Sequence, residues 1–425
     1  MFKRLTCFFL VFFLLFSLPC ATLLAFEPSP EDRALLNKIE KDTLQYFTRF
    51  SDKMTGLTKD SSRAGSPSSV AATGFALAAY AIGGSRGWIA QDYAYARILT
   101  TLQTLRHKAA HEKGIFYHFL DTKTGNRVWG SEASSIDTAF AVAGALLAAR
   151  YYPGTEIEKL AREIYERADW KWMMNNSDFI CMGWTPESKF LPYYWDSYNE
   201  LMLLVALAIG SPTFPVPPNA WERWLRPEGD YNNHKIIYAS TGSLFTYQFS
   251  HAYIDFRKLD DRGINFFENS REASLANREY SMSFSGQYKG YSESSWGLSA
   301  SVGPGGYRAY GGKPGGGFQD GTIAPYATLS SIVFTPEFST KAARFFYDSY
   351  QKELYGNFGF KDAFNLDKQW WASEYLGIDQ GITLLMLENY LNDELVWKKF
   401  MELPAIKKWI ELTGLRTRSA SIAKN

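Results

Sequence analysis

Four carboxylates stand out by their surroundings: Glu132 in GNRVWGSEASSIDTA, Glu200 in YYWDSYNELML, Asp362 in YGNFGFKDAFN and Glu374 in WWASEYLGIDQG. Each lies in an aromatic, Gly-rich or Ser-rich setting at or near a predicted helix start. Acids converging beside Trp and Tyr suit glycoside hydrolysis, in which one carboxyl protonates a leaving oxygen while another activates water or attacks carbon. Asp137 is a fifth, supporting acid, although an acid in a first helical turn also stabilises the helix N-terminus; Asp362 could cap a helix in the same way. Glu200 is harder to explain structurally. In YNELMLLVALAIG it is the one acid of a nearly apolar predicted helix, and a buried lone carboxylate is costly without a partner or a purpose. Glu374, Asp379 and Glu388 alternate with Trp370, Trp371 and Tyr375, a pattern that core and surface positions alone would also produce.

Aromatic residues make up 16% of the chain, with 13 Trp, and most aromatics in any protein are core. Trp129, Trp184, Trp195 and Trp296 flank the acidic motifs, where flat rings could stack on the C–H faces of a sugar; Tyr198 could add a hydroxyl contact. Arg86, Arg127 and His118 are candidates for binding sugar hydroxyls or holding a carboxylate ionised. Taken alone, His118 reads as a satisfied structural histidine.

Other chemistries drop out. HEKGI at residues 111–115 lacks the second His of a zinc-protease helix, and the five His are scattered, so no metal site and no cofactor are expected. Gly312 and Lys313 imitate the end of a phosphate loop, but Tyr307 stands where its first Gly belongs and Pro314 replaces Ser/Thr. No nucleophile-elbow Ser is present.

Helical periodicity dominates the elements that must position these groups. Apolar residues recur at helical spacing over residues 31–50, 69–83, 89–110, 134–152, 156–174, 194–209, 242–257, 263–283, 321–333, 339–353, 378–392 and 393–413. VAATGFALAAYAIG and IDTAFAVAGALLAARYY are apolar nearly all round, as inner helices packed on both faces would be. EIEKLAREIYERADWKWM is amphipathic and suits an outer helix. This alternation predicts an all-α fold, a six-hairpin (α/α)6 toroid, with long Gly/Pro/aromatic loops at 210–221 and 299–321; such loops are more often functional than spare.

Residues 1–25 read as an export signal: Lys3 and Arg4, an apolar run from Phe8 to Leu18, then Pro19 and small residues to Ala25. The stretch would also span a bilayer if kept, but Pro19 and the small residues favour cleavage. A mature chain from residue 26 to 425, read as one catalytic domain, carries 43 basic and 44 acidic residues once Lys3 and Arg4 are subtracted from 45. That balance, with no Lys/Arg block, argues against nucleic acid or a membrane surface as partner and fits a neutral glycan. Cys181 is the one cysteine outside the leader, so no internal disulfide can form and the fold rests on its core.

The runs MTGLTKDSS, GFALAAYAIGGSRGWI, IFYHFLDTKTGNRVWGSEASSIDTA, YWDSYNELMLL, SLFTYQFSHAYIDF, FGFKDAFN and YLGIDQGITLLMLENY resemble the bacterial glycoamylase-like family, glycoside hydrolase family 144, along nearly the whole chain after residue 25. The resemblance implies an (α/α)6 barrel, action on β-1,2-glucan by endo cleavage to sophorooligosaccharides, and inversion. It implies Glu200 as general acid and Asp362 as general base, with Glu132 and Glu374 shaping the sugar site. An exo-acting glucosidase or glucoamylase-like enzyme on another glucan is the alternative. A polysaccharide lyase would want a cationic pocket, and a non-catalytic glycan-binding protein would not need several aligned acids. A monomer, exported to the periplasm or beyond, is expected.

Overall fold

The computed structural model describes residues 26–417; the signal-peptide reading of residues 1–25 lies outside them. Fourteen α-helices among the described residues carry most of the structure: α1 Pro30–Phe50, α2 Val70–Ser85, α3 Gln91–His107, α4 Ser135–Ala149, α5 Glu156–Arg167, α6 Met202–Gly210, α7 Ala220–Arg223, α8 Phe245–Gln248, α9 Phe266–Ser283, α10 Pro325–Ser330, α11 Pro336–Leu354, α12 Gly377–Leu391, α13 Leu395–Met401 and α14 Pro404–Thr413. The strands are short, two to four residues each, and form small ladders.

The two helix classes expected from hydrophobic patterning are both present. In α5 the buried residues are Ile157, Leu160, Ala161, Ile164 and Tyr165, one stripe at helical spacing with charge opposite. In α2 every residue from Val70 to Gly84 is buried, and α6 is buried throughout. Accordingly α2 packs against α4, α12, α1 and α3, and α4 against α6 and α5. The α2–α4 crossing is close because Gly74 faces Gly144: a Cβ on Gly144 would collide with the Gly74 carbonyl. Among the described residues no helix is long and apolar enough to cross a membrane.

Several boundaries differ from expectation for local reasons. The 393–413 segment is two helices, because Pro404 has no N–H to donate and takes the first position of α14. The 242–257 segment is one turn of α8 followed by a 3-10 turn at Phe249–Ala252. Helix α6 starts at Met202, so Glu200 lies in the turn before it rather than within an apolar helix.

At the far end of α12 a buried acid pair has a stability consequence. Glu40 of α1 and Glu388 of α12 are both fully buried, with Arg86 Nη1 3.1 Å from Glu388 Oε2. Burial first, and then the charge and hydrogen bond of Glu388, push the Glu40 carboxyl well above the ordinary glutamate range. The folded chain thus keeps a proton that the unfolded chain releases, and stability declines as pH rises through that interval, by at most about 1.4 kcal/mol per pH unit per proton. Glu40→Gln, which needs no such proton, is expected to keep its melting temperature between pH 5 and 8 better than the parent protein. Equal slopes in a thermal-melt series would assign the dependence to another group.

Candidate active site

The acids meet at the N-terminal ends of the buried helices, where free N–H groups and the helix dipole favour negative charge. Asp60 precedes α2, Glu132 precedes α4, Glu200 precedes α6 and Glu374 precedes α12, while Asp137 and Asp379 lie in the first turns of α4 and α12. Backbone bonds tie these loops together. His118 N donates to Glu132 O at 2.8 Å, Asp362 N to Glu374 O at 3.0 Å and Gly377 N to Asp60 O at 2.7 Å. Of these acids Asp60 and Glu374 line a cleft of about 520 Å³, together with Arg63, His118, Trp129 and Tyr307.

One wall is the His118 group. His118 Nδ1 is 3.1 Å from Glu132 Oε1 and Nε2 is 3.6 Å from Asp137 Oδ1. Burial opposes a charge on the imidazole, but Asp137, Glu132 and Asp60 outweigh it and raise the pKa to about 9. Burial likewise pulls Glu132 upward, and the His118 hydrogen bond and charge more than offset it, leaving that carboxyl below its usual value. Ser134 caps α4, accepting from Asp137 N at 3.3 Å and donating to Asp137 Oδ2 at 2.5 Å; Asp137 therefore fills its helix-stabilising role and also faces His118 of the cleft wall. His118, Glu132 and Asp137 place one nitrogen and two oxygens within 4.8 Å of one another, a donor set a divalent ion could use. An ion binding there would have to displace the imidazole proton, so its affinity would rise with pH.

The His118 ring stacks on Phe119 with centroids 3.9 Å apart, and Phe119 meets Trp129 at 5.1 Å. Trp129 is 71% exposed and holds a left-handed φ of 57°, a strained conformation that non-glycine residues keep where surrounding structure imposes it, commonly at functional sites. Arg127 imposes it here: its guanidinium donates to Gly130 O at 2.6 Å and pairs with Glu187 at 2.8 and 2.9 Å. Trp129→Ala is expected to raise KM about threefold to tenfold, from loss of one aromatic contact, with little change in melting temperature because the ring is exposed. An unchanged KM would remove Trp129 from the binding surface.

Burial shifts the proton affinities of several acids here toward neutrality, Glu200 and Asp362 among them. Burial raises Glu200 to about 7, its own backbone N–H opposing and Asp137 adding. Burial raises Asp362 to about 6 against hydrogen bonds from Asp379 and the Val302 N–H, the latter at 2.6 Å. Asp60, on the cleft wall, is also pushed by burial to about 6, with His118 opposing and Asp137 and Glu374 adding. Glu374 is buried and held by two guanidinium nitrogens of Arg63, Nε and Nη2. Over them hangs the hairpin Ala300–Gly303/Gly306–Ala309: Tyr307, in its second strand just after the turn, is 58% exposed and lies within electrostatic reach of Asp379, Asp362, Asp60 and Glu200.

Other candidates are placed away from the cleft. Trp296 is fully buried and belongs to the core. Tyr198 is likewise core, packed on Tyr247, Trp224 and Phe266. Trp195 is buried and donates from Nε1 to Ser135 Oγ at 2.9 Å, bracing the start of α4. Trp184 faces Trp172 in the ladder behind Glu132. Arg86 pairs with Glu388 and stacks on Trp88 at the opposite end of the fold, and Arg127 positions the Trp129 loop. The tryptophans were singled out by closeness in sequence to the acidic motifs and the arginines by their charge, and neither fixes the direction of a side chain. Sequence reading missed Asp60, Arg63, Phe119 and Tyr307. Asp60 and Tyr307 lie in polar loops without periodicity; the Gly-rich 299–321 segment was the one signal that pointed toward Tyr307. The other long loop, 210–221, lies beyond the C-terminal end of α6, away from the cleft.

Residues 192–404 match the Glycoamylase family model. A Parabacteroides distasonis exo β-1,2-glucooligosaccharide sophorohydrolase (non-reducing end) is 27% identical over 419 aligned positions, covering 89% of this chain; the chain spans 58% of that relative's length. The structure of an endo-β-1,2-glucanase from Chitinophaga pinensis, in complex with sophorotriose and glucose, superposes with a TM-score of 0.85 at 28% identity, covering 92% of this chain and 99% of the other. A β-1,2-glucanase from Parabacteroides distasonis superposes with a TM-score of 0.85 at 26% identity, covering 90% of this chain and 60% of the other.

Proposed function

Since the chain belongs to the glycoamylase family, with Asp60 and Glu374 lining its cleft and Glu200, Asp362 and Asp379 within electrostatic reach of the cleft residue Tyr307, we propose that it is a glycoside hydrolase that cleaves β-1,2-glucan by inversion. One observation carries the assignment: Glu200, in the turn before α6, and Asp362, whose loop is bonded to Glu374, have proton affinities pushed up to about 7 and about 6. At neutral pH such a pair supplies a protonated acid and an ionised base, the division of labour that hydrolysis of an acetal requires. Glu200 protonates the leaving oxygen and Asp362 activates water. Asp362 is only 2% exposed, so its proton arrives through a substrate hydroxyl or a relayed water rather than from open solvent. Glu132 and Glu374, each held by a cation, orient sugar hydroxyls, and Trp129 stacks on a sugar ring.

The finer architecture belongs to the same reading. Helices α2, α4, α6, α8, α10 and α12 form the inner ring of a six-hairpin (α/α)6 barrel, and one catalytic domain follows a cleaved export signal, giving a periplasmic or secreted monomer. Near-complete coverage of the endo-acting Chitinophaga pinensis structure, against partial coverage of the exo-acting relative, favours endo cleavage to sophorooligosaccharides. The test is a screen of purified protein on β-1,2-, β-1,3-, β-1,4- and α-1,4-glucans. Reducing ends released from β-1,2-glucan as a ladder of oligosaccharides support the proposal; sophorose as sole early product shifts it to exo action, and release from α-1,4-glucan alone overturns it.

A further inference from the structure

Asp379 is buried in the first turn of α12 and takes no part in the steps above. Its carboxyl lies within hydrogen-bond reach of that of Asp362, and both border a small cavity that also touches Ile39, Thr43, Tyr326 and Gln380. Asp362 Oδ2 accepts from Val302 N at 2.6 Å, whereas Asp362 Oδ1 and Asp379 Oδ2 are buried with no donor from any other residue. Two buried carboxylate oxygens that face each other with no other donor repel unless a proton lies between them.

From this juxtaposition we infer that Asp379 is a positioning residue that stays protonated and donates its O–H to Asp362. The donor holds Asp362 ionised, aims its remaining lone pairs and lets it serve as base despite its burial. The inference rests on the assignment of Asp362 as general base. Its direction agrees with the electrostatics. Burial, then the charge and hydrogen bond of Asp362, keep Asp379 neutral well above the ordinary aspartate range. The other groups facing the pair are Asp60 from the loop before α2, Glu374 from the loop before α12, Tyr46 of α1, Tyr326 of α10 and Tyr307 of the hairpin. The tyrosines stay neutral because burial raises all three. Lys361 also borders the cavity, but its ammonium is turned to Glu353 O.

The experiment compares Asp379→Asn with Asp379→Leu on β-1,2-glucan across pH 4 to 9. The Asn side chain keeps a neutral N–H donor, so the acidic limb of kcat/KM is expected to stay at its parental position. Leu removes the donor, so Asp362 becomes harder to ionise and the limb moves up by about one pH unit, an approximately tenfold loss at pH 5 that recovers at higher pH. Asp60 contributes equally to all three profiles, so the comparison cancels it. A downward move in Asp379→Asn would mean that the parental Asp379 is a charged carboxylate, and a uniform fall in both variants with no movement of the limb would reduce it to packing; either result overturns the inference. Infrared difference spectra of the parent against Asp379→Asn at pH 7 give a reading independent of turnover and of whether the Leu variant folds: a protonated-carboxyl C=O band lost in the variant is expected, and its absence overturns the inference. Should Asp362→Asn remain active, the base assignment fails, while the infrared band still reports on the shared proton.

Discussion

Glu200→Gln is expected to lower turnover of β-1,2-glucan by roughly 10²-fold to 10⁴-fold, the usual contribution of a positioned general acid, while the protein stays folded. Gln keeps the shape of Glu and loses the transferable proton. It also removes a carboxyl that burial places at a pKa of about 7. Above that value the folded state pays a desolvation penalty for the charge that the unfolded chain does not, so the variant is expected to melt no lower than the parent protein at pH 8. Circular dichroism melts and kcat on the same preparations separate the two effects. A folded Glu200→Gln protein that turns over at near-parental rate would end the assignment. Because the acid must be protonated, parental kcat/KM should decline as pH rises above about 7, and residual activity of the variant should lack that limb.

Asp362→Asn is expected to cause a loss of the same order, with the mirror-image pH signature. The base must be ionised, so parental activity should decline as pH falls below about 6, the value to which burial raises Asp362. The two limbs leave a narrow optimum near neutrality, and the measured values belong to the coupled set of acids rather than to single residues. Stereochemistry gives a second check. An inverting pair on opposite sides of the scissile bond delivers water to the face away from the leaving group, so hydrolysis of a β-1,2 linkage should release new reducing ends as the α anomer. Proton NMR of the anomeric region during the first minutes distinguishes this from retention. Early accumulation of β product would sink both inversion and Asp362 as base.

Much of the candidate site was legible in the sequence because its acids are local anomalies. Glu132, Glu200 and Glu374 each stand just ahead of a long apolar run, and an acid beside VALAIG or GITLLM contrasts with its neighbours wherever the fold puts it. The aromatic and basic candidates were less legible. Trp129 and Trp296 look alike in sequence, since both follow a polar stretch and precede a Gly, yet one is exposed at the cleft and the other lies in the core. Their fates depend on which helix covers them, and no local pattern records that. Arg86 and Arg127 were chosen for positive charge beside Gly and Trp; one anchors Glu388 at the far end of α12 and the other braces a loop.

Helical periodicity, the apolar inner runs and the identity of the principal acids are properties of consecutive residues, and so the sequence by itself determined the helical class, the inner and outer positions of α2, α4 and α5, and the chemistry of the cleft. Tertiary structure alone decided which acids share a proton and which stay charged. Asp60 neighbours Glu374 across more than three hundred residues, Arg63 clasps that same Glu374, and Asp379 meets Asp362 through the return of the chain into α12. Proton affinity follows from desolvation and from charges a few ångströms away in space. Those neighbours are brought together by closure of the helices around the core, which sets no periodic mark on the residues it joins.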